Sequence, residues 1–578
     1  MYSVFCVIIL CMSYNVTKNV VLGFLASMAM GVSVAAESPL KPYALLIMFD
    51  GFRADMVRVA DMPALRSMMV GKWHPDYKCA WSLSGQNLDD AMTYSYANHA
   101  SIITGVTRTK HNVAFNCDAY DGFYARWPSW QTRIARTIPG ARGFFATDWE
   151  PPIGKDKTTI DWCENPSVTV AADKLVKRLA VSDGTRTFSF FVGMPDHAGH
   201  ESGYFPTGDA YLAACRTNDL CLARILDAVQ SRPTFAQEDW LIMLTSDHGG
   251  IHYMHGQMDA QTRTVPIVLC GRRVVQGPLA GLPQTYDVPC TALAHFGIDP
   301  TTCDLDGEVI GGKPSPVRSG SLAEAMALCF PFTDELAGTM RNSTRNALPD
   351  GWKPARAGDP TYINCAKEGG ICGKCLSING EAGCVNAMSF PETARGFAGS
   401  DGAFTFAFWI NAEKEPKNAE IQPVFGNMDL DNPNSPGFQV VTQFRQPRCQ
   451  PGICLLYRQA SGVRNVVGPF FPDSPKWLFV AGTVSQDGVV TFYGGREDGR
   501  LHFAAGDGRG ASFVSGLPIH IGQDGTGTHG TNFNGKLDEM GFWTRALTVD
   551  EIEALYRAGL CHESPFRTNK KKQGGEGK

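Results

Sequence analysis

Four short, uninterrupted apolar runs constrain the fold of this chain more than any other feature of its sequence. They span residues 44–49, 188–193, 241–245 and 266–269. A strand that is apolar at every position, rather than at every second one, must be covered on both faces, as strands are in sheets flanked by helices. Each run is therefore predicted to be a buried strand of a mainly parallel α/β sheet.

The segment between two of these runs has helical periodicity. Residues 209–229 place apolar side chains at spacings close to 3.6 residues, namely Leu212, Cys215, Leu222, Ile225, Leu226 and Val229. This spacing predicts an amphipathic helix packed on the sheet. We expect one α/β domain over residues 37–330.

The pattern changes after residue 330. Residues 331–384 are rich in Pro, Gly and Cys, which predicts a linker tied by disulfides. Beyond it, Phe404, Phe406 and Phe408 alternate with other residues, and short aromatic runs recur between turn residues. Residues 385–562 are therefore predicted to form an all-β sandwich.

Both ends of the chain carry their own signals. Lys18, an apolar run over residues 20–32 and small residues up to Ala36 predict a signal peptide over residues 1–36, cleaved after Ala36. The mature protein would be secreted or periplasmic, without a stable membrane span. A retained signal anchor and a start at Met12 are the alternatives. The Lys- and Gly-rich tail, residues 563–578, is predicted to be disordered.

Cysteine content fits an exported protein. Of 18 cysteines, Cys6 and Cys11 lie in the signal peptide, which leaves an even number for an oxidising compartment. We expect several disulfides, with two pairs close enough in sequence to close local loops, Cys215 with Cys221 and Cys449 with Cys454.

Length and charge limit the class of protein further. A chain of 578 residues predicts two or three domains. The 52 basic and 57 acidic residues give a net charge of −5, which offers no positive field for a nucleic-acid polymer.

Four separated segments carry residues that commonly ligate metals, and each comes after a predicted strand. Asp50 opens an Asp-Gly-Phe-Arg segment, Ser95 begins a predicted helix, and two further segments each hold an Asp and a His, Asp196 with His200 and Asp247 with His248. Because α/β sheets build their sites at the carboxyl ends of strands, we expect the four segments to meet there.

The residue types indicate the chemistry. Asp and His without a thiolate suit a borderline divalent ion such as Zn²⁺, and several aspartates permit two ions. A pair of ions can clamp the attacking and leaving oxygens of a displacement at phosphorus. Ser95 is then a nucleophile that the metal activates without a histidine base.

These segments resemble the alkaline phosphatase superfamily, most closely its type I phosphodiesterase/nucleotide pyrophosphatase branch, over residues 43–312. The resemblance implies an alkaline-phosphatase-like sheet and two zinc ions. It implies one zinc held by Asp196, His200 and a late histidine, and the other by Asp50, Ser95, Asp247 and His248. It also implies that Asn98 binds a non-bridging phosphoryl oxygen.

The late histidine is predicted to be His255, because the segment that closes such domains follows from residue 286. His252 is the competitor. Thr93 is the less favoured nucleophile, and Ser95 could instead cap its helix. His99 and His197 are predicted to be neighbours of the site rather than ligands.

Some positions depart from the family pattern. Serine stands where the family usually has threonine, and Ala97 replaces a common proline. The long insertion that carries the late histidine in nucleotide pyrophosphatases is missing, which puts the nucleotide-binding lobe in doubt. The Cys-x-Pro-x-Arg signature of sulfatases is not found at the nucleophile position, which disfavours sulfate esters.

Residues 535–551 resemble the last strand and final helix of laminin-G-like, concanavalin A-like jelly rolls. Thr548 and Glu551 have the spacing of a helix capping box. The resemblance implies a carbohydrate ligand or Ca²⁺ for this domain. Its four histidines are predicted to lie at the surface, namely His502, His520, His529 and His562.

Together these features predict a secreted two-zinc phosphoesterase that cleaves a phosphodiester or pyrophosphate through a phosphoserine at Ser95. One alternative is a phosphomonoesterase or phosphonate hydrolase on the same metals. The other is a carbohydrate-binding surface protein with an idle hydrolase domain.

Overall fold

The structure is a computed structural model. It describes residues 40–86, 92–118, 122–149, 156, 158–257, 259–332, 353–356, 363–380, 385–389, 402–412, 421–443, 452–459, 464–470, 476–497 and 499–566. The predicted signal peptide, most of the predicted tail and much of the predicted linker lie outside these ranges. Within them, no helix combines the length and the apolar character that a bilayer span requires.

The N-terminal part is built on a mixed sheet of eight strands. Its order is β4-β3-β5-β1-β6-β7-β2-β8. The strands are β1 (Lys41–Phe49), β2 (Lys78–Gln86), β3 (Arg142–Thr147), β4 (Ile160–Glu164), β5 (Thr185–Val192), β6 (Glu238–Thr245), β7 (Thr264–Gly271) and β8 (Gly277–Pro278).

Helices cover this sheet. They are α1 (Met56–Val59), α2 (Pro63–Met69), α3 (Ser95–Thr104), α4 (Arg108–His111), α5 (Trp130–Thr137), α6 (Val168–Leu179), α7 (Met194–Ser202), α8 (Asp209–Gln230), α9 (Ala260–Arg263) and α10 (Asp287–His295). Short 3₁₀ turns lie at Asn116–Asp118, Phe235–Gln237 and Pro300–Cys303. The helix predicted over residues 209–229 is α8.

The four apolar runs lie in or at the ends of β1, β5, β6 and β7. Strands β6 and β7 are buried along their whole length, as continuous apolar runs predict. Strands β4, β3, β5 and β1 pair in parallel, whereas β7 is antiparallel to both β6 and β2. An apolar run reports burial on both faces and says nothing about strand direction, so the reversal at β7 could not be predicted.

The C-terminal part consists of two antiparallel sheets. One has the order β10-β13-β22-β15-β16-β17-β18, and the other β11-β12-β23-β14-β19-β20-β21, with β9 beside β23. The strands are β9 (Met326–Phe330), β10 (Lys353–Arg356), β11 (Ile363–Gly370), β12 (Gly373–Asn379), β13 (Val385–Ser389), β14 (Phe404–Ala412), β15 (Ile421–Gly426), β16 (Phe438–Gln443), β17 (Gly452–Arg458), β18 (Arg464–Phe470), β19 (Leu478–Val484), β20 (Val489–Arg496), β21 (Leu501–Asp507), β22 (Ile519–Ile521) and β23 (Asn534–Trp543).

A final helix, α11 (Val549–Leu560), follows the last strand. The predicted capping box at its start is present, because Thr548 and Glu551 each bond the other's backbone. The α/β part followed by a jelly roll confirms the predicted fold class. Two of the histidines predicted at the surface are buried, since His502 and His520 are each only 7% exposed.

The predicted Cys215–Cys221 disulfide is wrong. Both residues lie on α8, six positions apart, and both are free thiols. A rigid helix holds side chains at this spacing away from each other, and burial raises the pKa of the Cys215 thiol. Cys449 of the other predicted pair lies outside the described residues.

Candidate functional site

Three neighbouring strands deliver the aspartates of the site. Asp50 follows β1, Asp247 follows β6, and Asp196 lies in α7 directly after β5. Strand β1 lies between β5 and β6 in the sheet, so the three strand ends are adjacent. The backbone locks them together: Asp50 N–H donates to the Val192 carbonyl (2.9 Å), and Asp196 N–H donates to the Asp50 carbonyl (3.1 Å).

Gly51 makes the turn that brings these ends into contact. Its φ of +67° is a left-handed conformation, which glycine adopts without strain. A Cβ atom here would lie 2.8 Å from the Cα of Asp196. The Gly51 N–H also donates to Asp247 Oδ1 (3.1 Å). The Asp-Gly sequence is therefore needed for both the turn and the close approach.

Asp50, Asp247 and His248 form the first group that could hold a cation. His248 Nε2 lies 3.2 Å from Asp50 Oδ1 and 3.2 Å from Asp247 Oδ2. Its other ring nitrogen, Nδ1, is 2.7 Å from the Gly249 carbonyl oxygen. Because a carbonyl oxygen can only accept a hydrogen bond, the ring proton lies on Nδ1. In the neutral ring the Nε2 lone pair therefore faces two carboxylates, an arrangement that requires a positive charge between them.

The pKa values reflect the same charge demand. Burial lowers the pKa of His248, but Asp247 and Asp50 outweigh burial and raise it to about 10. Burial and the charge of Asp196 raise the pKa of Asp50, but the neighbouring His248 and His99 rings outweigh them and lower it to about 2. The Asp50 carboxylate is therefore ionised near neutral pH and can serve as an anionic ligand for a cation.

The residues fit a zinc ion. Ligand atoms about 2.0–2.1 Å from a tetrahedral zinc are about 3.3 Å apart, close to the separations within the first group. Asp50 Oδ1 and Asp247 Oδ2 are buried and have no hydrogen-bond donor among the described residues. Buried carboxylate oxygens without donors are expected where a metal binds.

Ser95 lies beside this group. Its Oγ is 3.1 Å from His248 Nε2, and the residue is 5% exposed. Ser95 is the first residue of α3, whose N-cap is Tyr94, and no side chain caps the helix. The alternative that Ser95 merely caps its helix is therefore wrong.

Asp196, His200 and His255 surround a second position. Asp196 Oδ1 lies 3.6 Å from His200 Nε2 and 3.6 Å from His255 Nε2. Asp196, His248 and His255 form the second group that could hold a cation. The His248 and His255 rings stack at 3.6 Å, so the two groups adjoin. Burial and the neighbouring His248 lower the pKa of His255 to about 3, which keeps its ring neutral and able to ligate.

The two alternative residues, His252 and Thr93, have other contacts. His252 adopts φ +54° and packs its ring on Phe205, away from Asp196. Thr93 Oγ1 donates to the Gln257 carbonyl (2.9 Å) and accepts from the Gly256 N–H (2.9 Å). The structure thus brings His255 to the aspartates, and uses Thr93 to hold the loop that carries it.

Asn98 is placed differently from its expected role. It is 1% exposed, and its Nδ2 donates to the Asp247 carbonyl (2.8 Å). Asn116, which the sequence analysis missed, is exposed and accepts from the Tyr96 N–H through Oδ1 (3.1 Å). Tyr96 follows Ser95 directly, so this contact places Asn116 at the start of α3.

His99 lies beside the site, as predicted, and belongs to neither group that could hold a cation. Its Nε2 is 3.3 Å from Asp50 Oδ2 and 3.2 Å from Asp247 Oδ2. Burial lowers the pKa of His99, but the two carboxylates raise it to about 9. The signal available in the sequence was its position: Ser95 and His99 are four residues apart and so share one face of α3.

Both groups of His and carboxylate side chains that could hold a cation lie in the α/β part. Among the described residues of the jelly roll, no such group marks the Ca²⁺ site that the resemblance implied. Of the Asp and His side chains predicted to ligate metals, His200 belongs to neither group, although its Nε2 lies 3.6 Å from Asp196 Oδ1.

The solved structures that match this chain have low sequence identity and low TM-scores. Murine ectonucleotide pyrophosphatase/phosphodiesterase 5 is 12% identical, with a TM-score of 0.35 over 44% of this chain and 95% of that chain. The phosphonate monoester hydrolase of Agrobacterium radiobacter is 15% identical, with a TM-score of 0.34 over 48% and 79%. A 2-O GAG sulfatase is 10% identical, with a TM-score of 0.37 over 58% and 82%.

Curated protein sequences give no match. One family model matches, that of the concanavalin A-like lectin/glucanases superfamily, over residues 386–553. This segment coincides with the strands β13 to β23 and the start of α11. The C-terminal part of the chain is therefore a concanavalin A-like jelly roll.

Proposed function

We propose that this protein is an exported two-zinc phosphoesterase that cleaves a phosphodiester or pyrophosphate with Ser95 as nucleophile. The observation that carries the proposal is the convergence of two buried carboxylates and a histidine lone pair beside one hydroxyl. That hydroxyl, Ser95 Oγ, is 3.1 Å from His248 Nε2. The four sequence motifs that resemble type I phosphodiesterases supply the same residues.

Each residue has a stated role. Asp50, Asp247, His248 and Ser95 would hold one zinc ion, and Asp196, His200 and His255 the other. Zinc bound there would lower the pKa of the serine hydroxyl and stabilise charge on the phosphoryl and leaving oxygens. Ser95 Oγ forms a bond to phosphorus as the bond to the leaving oxygen breaks. Water then cleaves the phosphoserine, and the two inversions give net retention at phosphorus.

Asn116, rather than Asn98, is proposed to bind a non-bridging phosphoryl oxygen. Asn116 is exposed and accepts from the N–H of Tyr96, the residue after Ser95, whereas the amide of Asn98 donates to the Asp247 carbonyl. The start of α3 adds backbone N–H groups that favour an anion at the same position.

The test is hydrolysis of bis-p-nitrophenyl phosphate and p-nitrophenyl phosphate by the zinc-loaded chain and by Ser95→Ala. We expect the diester to be preferred and Ser95→Ala to lower kcat by about 10³-fold or more. Ser101→Ala, a buried serine on the same helix that contacts His111, is the matched control and should keep its activity.

Other results assign another function. A strong preference for the monoester would favour a phosphomonoesterase or phosphonate hydrolase. Protein that is purified without chelators, contains no zinc and binds glycans would favour a carbohydrate-binding protein with an idle hydrolase domain. Full activity of Ser95→Ala would contradict the proposed nucleophile.

A further inference from the structure

The jelly roll and the α/β part share buried residues. Phe503 of β21 and Tyr493 of β20 belong to the same hydrophobic cluster as Phe52 and Tyr211 of the α/β part. Strand β21 packs against β2, β7 and α9. A domain that served only to bind a separate ligand would need no such common core.

The first polar route from β21 leads to the His248 loop. The Ala505 N–H donates to Thr264 Oγ1 (3.0 Å), and Gln86 Nε2 donates to the Ala505 carbonyl (3.2 Å). Thr264 directly follows α9, where the Thr262 carbonyl accepts from the Gly249 N–H (2.7 Å). A Cβ on Gly249 would lie 2.3 Å from the Gln261 carbonyl oxygen, so α9 sets the position of the residue next to His248.

The second route leads to Asp196. Arg500, just before β21, donates from Nη1 to the Pro206 carbonyl (2.8 Å). Pro206 lies in the loop that follows α7, as does Tyr204. The Tyr204 hydroxyl donates to Asp196 Oδ1, and its N–H donates to the His252 carbonyl (2.6 Å).

A third route joins the two loops. Arg53 pairs with both oxygens of Asp55 (3.0 and 2.7 Å) and donates from Nη1 to the Gly250 (2.9 Å) and Tyr204 (3.3 Å) carbonyls. His502 of β21 covers this pair, with its Nδ1 3.8 Å from Asp55 Oδ2. The jelly roll therefore closes the back of the site.

We propose that the edge of the jelly roll formed by Arg500 and β21 is a positioning element of the metal centre. This inference rests on the proposed function, which supplies both the zinc ions and the catalytic consequence. The positioning residues are Arg500 on this edge and Thr264 of β7, which accepts from the Ala505 N–H of β21.

The effect should be unequal between the two metal positions. The Asp196 side chain is 14% exposed, whereas those of Asp50 and Asp247 are 2% and 0% exposed. The Asp196 position depends on the loop that Arg500 holds, while the Asp50 position is fixed by sheet hydrogen bonds. Loss of the Arg500 contact is therefore expected to loosen one zinc selectively.

The experiment measures both zinc affinities by chelator competition, together with kcat and KM for bis-p-nitrophenyl phosphate, on the full chain. Arg500→Met should weaken the weaker zinc by about tenfold or more and lower kcat by a similar factor, as second-layer substitutions do, with KM changed less than twofold. Arg500→Lys, which can still donate to Pro206, should restore most of both. Arg557→Met, which removes an exposed jelly-roll pair with Glu553, is the matched control.

The outcomes separate the two proposals. If Arg500→Met and Arg557→Met bind both zinc ions like the wild type, the positioning role is wrong, whatever the activity. If the wild type binds zinc but hydrolyses neither ester, the proposed function fails, and the affinities still decide the positioning role. If Arg500→Met does not fold, Thr264→Val tests the first route, to the His248 loop, and unchanged zinc affinities in that variant overturn the inference.

Discussion

Asn116 is exposed at the start of α3, whereas Asn98 is buried within that helix and donates to the Asp247 carbonyl. Replacing Asn116 by alanine should therefore change mainly the activity, and replacing Asn98 by alanine should change mainly the stability. Asn116→Ala is expected to lower kcat/KM by about 10–100-fold, because a transition-state hydrogen bond is lost. It should lower the free energy of unfolding by no more than about 1 kcal/mol, because only the exposed Tyr96 N–H at the start of α3 loses its acceptor. Asn98→Ala should lower the free energy of unfolding by about 1–3 kcal/mol, because it leaves the Asp247 carbonyl without its buried donor.

Steady-state kinetics and urea denaturation of the two variants check this assignment. A large loss of kcat/KM in Asn98→Ala at unchanged stability, with Asn116→Ala active, would restore the role that the motif implies for Asn98.

At the level of single residues, side chains at strand ends could be predicted from a general rule, whereas those on α3 and α7 could be predicted only from their motifs. Asp50 and Asp247 come at the ends of apolar runs, and α/β sheets build their sites at the carboxyl ends of strands, so their position could be predicted. His99 and Asn116 come from α3 and a 3₁₀ turn, and their positions depend on how those elements pack. His255 could be named only against His252, since the two lie in one irregular loop.

Among the elements, the β1 turn is the one on which the site depends most. Gly51→Ala should lower the free energy of unfolding by about 1–2 kcal/mol through its left-handed conformation alone, and by more because its Cβ meets Asp196 at 2.8 Å. We also expect loss of zinc from this variant, because Asp50 and Asp196 are pushed apart.

Gly297→Ala is the control for that prediction. Its φ is +75°, but a Cβ there meets nothing within 4 Å, so it isolates the backbone cost. Metal analysis by mass spectrometry and thermal denaturation compare the two variants. Equal stability and equal zinc content in both would show that the close approach at Gly51 has no role.

Element type followed from local pattern, and element direction did not. The apolar spacing of residues 209–229 predicted α8 almost to the residue, and the Thr548 capping box marked the start of α11. The reversed direction of β7 and the placing of Cys215 and Cys221 on one helix needed the tertiary structure. A disulfide prediction from sequence distance fails where a rigid helix separates the two thiols.

In the whole molecule, His502 is buried where the jelly roll packs against the α/β part, although the sequence predicted it at the surface. Burial lowers the pKa of His502 to about 4, although Asp55 opposes the shift. The unfolded chain protonates near its ordinary pKa of 6.5, so the stability that neutral His502 contributes is present above that pH and is lost as the pH falls towards 4.

Between pH 7 and pH 5 the wild type should therefore lose about 2 kcal/mol more stability than His502→Gln, since one pKa unit corresponds to about 1.4 kcal/mol. Urea denaturation of both proteins at the two pH values, with zinc buffered equally, measures the difference. The same pH dependence in both proteins would mean that His502 is not buried at the junction.

The central claim is that two cations lie around Ser95, and X-ray diffraction from zinc-loaded crystals at the zinc absorption edge tests it most directly. The account predicts two anomalous peaks, one among Asp50, Asp247 and His248 and one among Asp196, His200 and His255. Anomalous density at neither position in protein shown to contain zinc would contradict it.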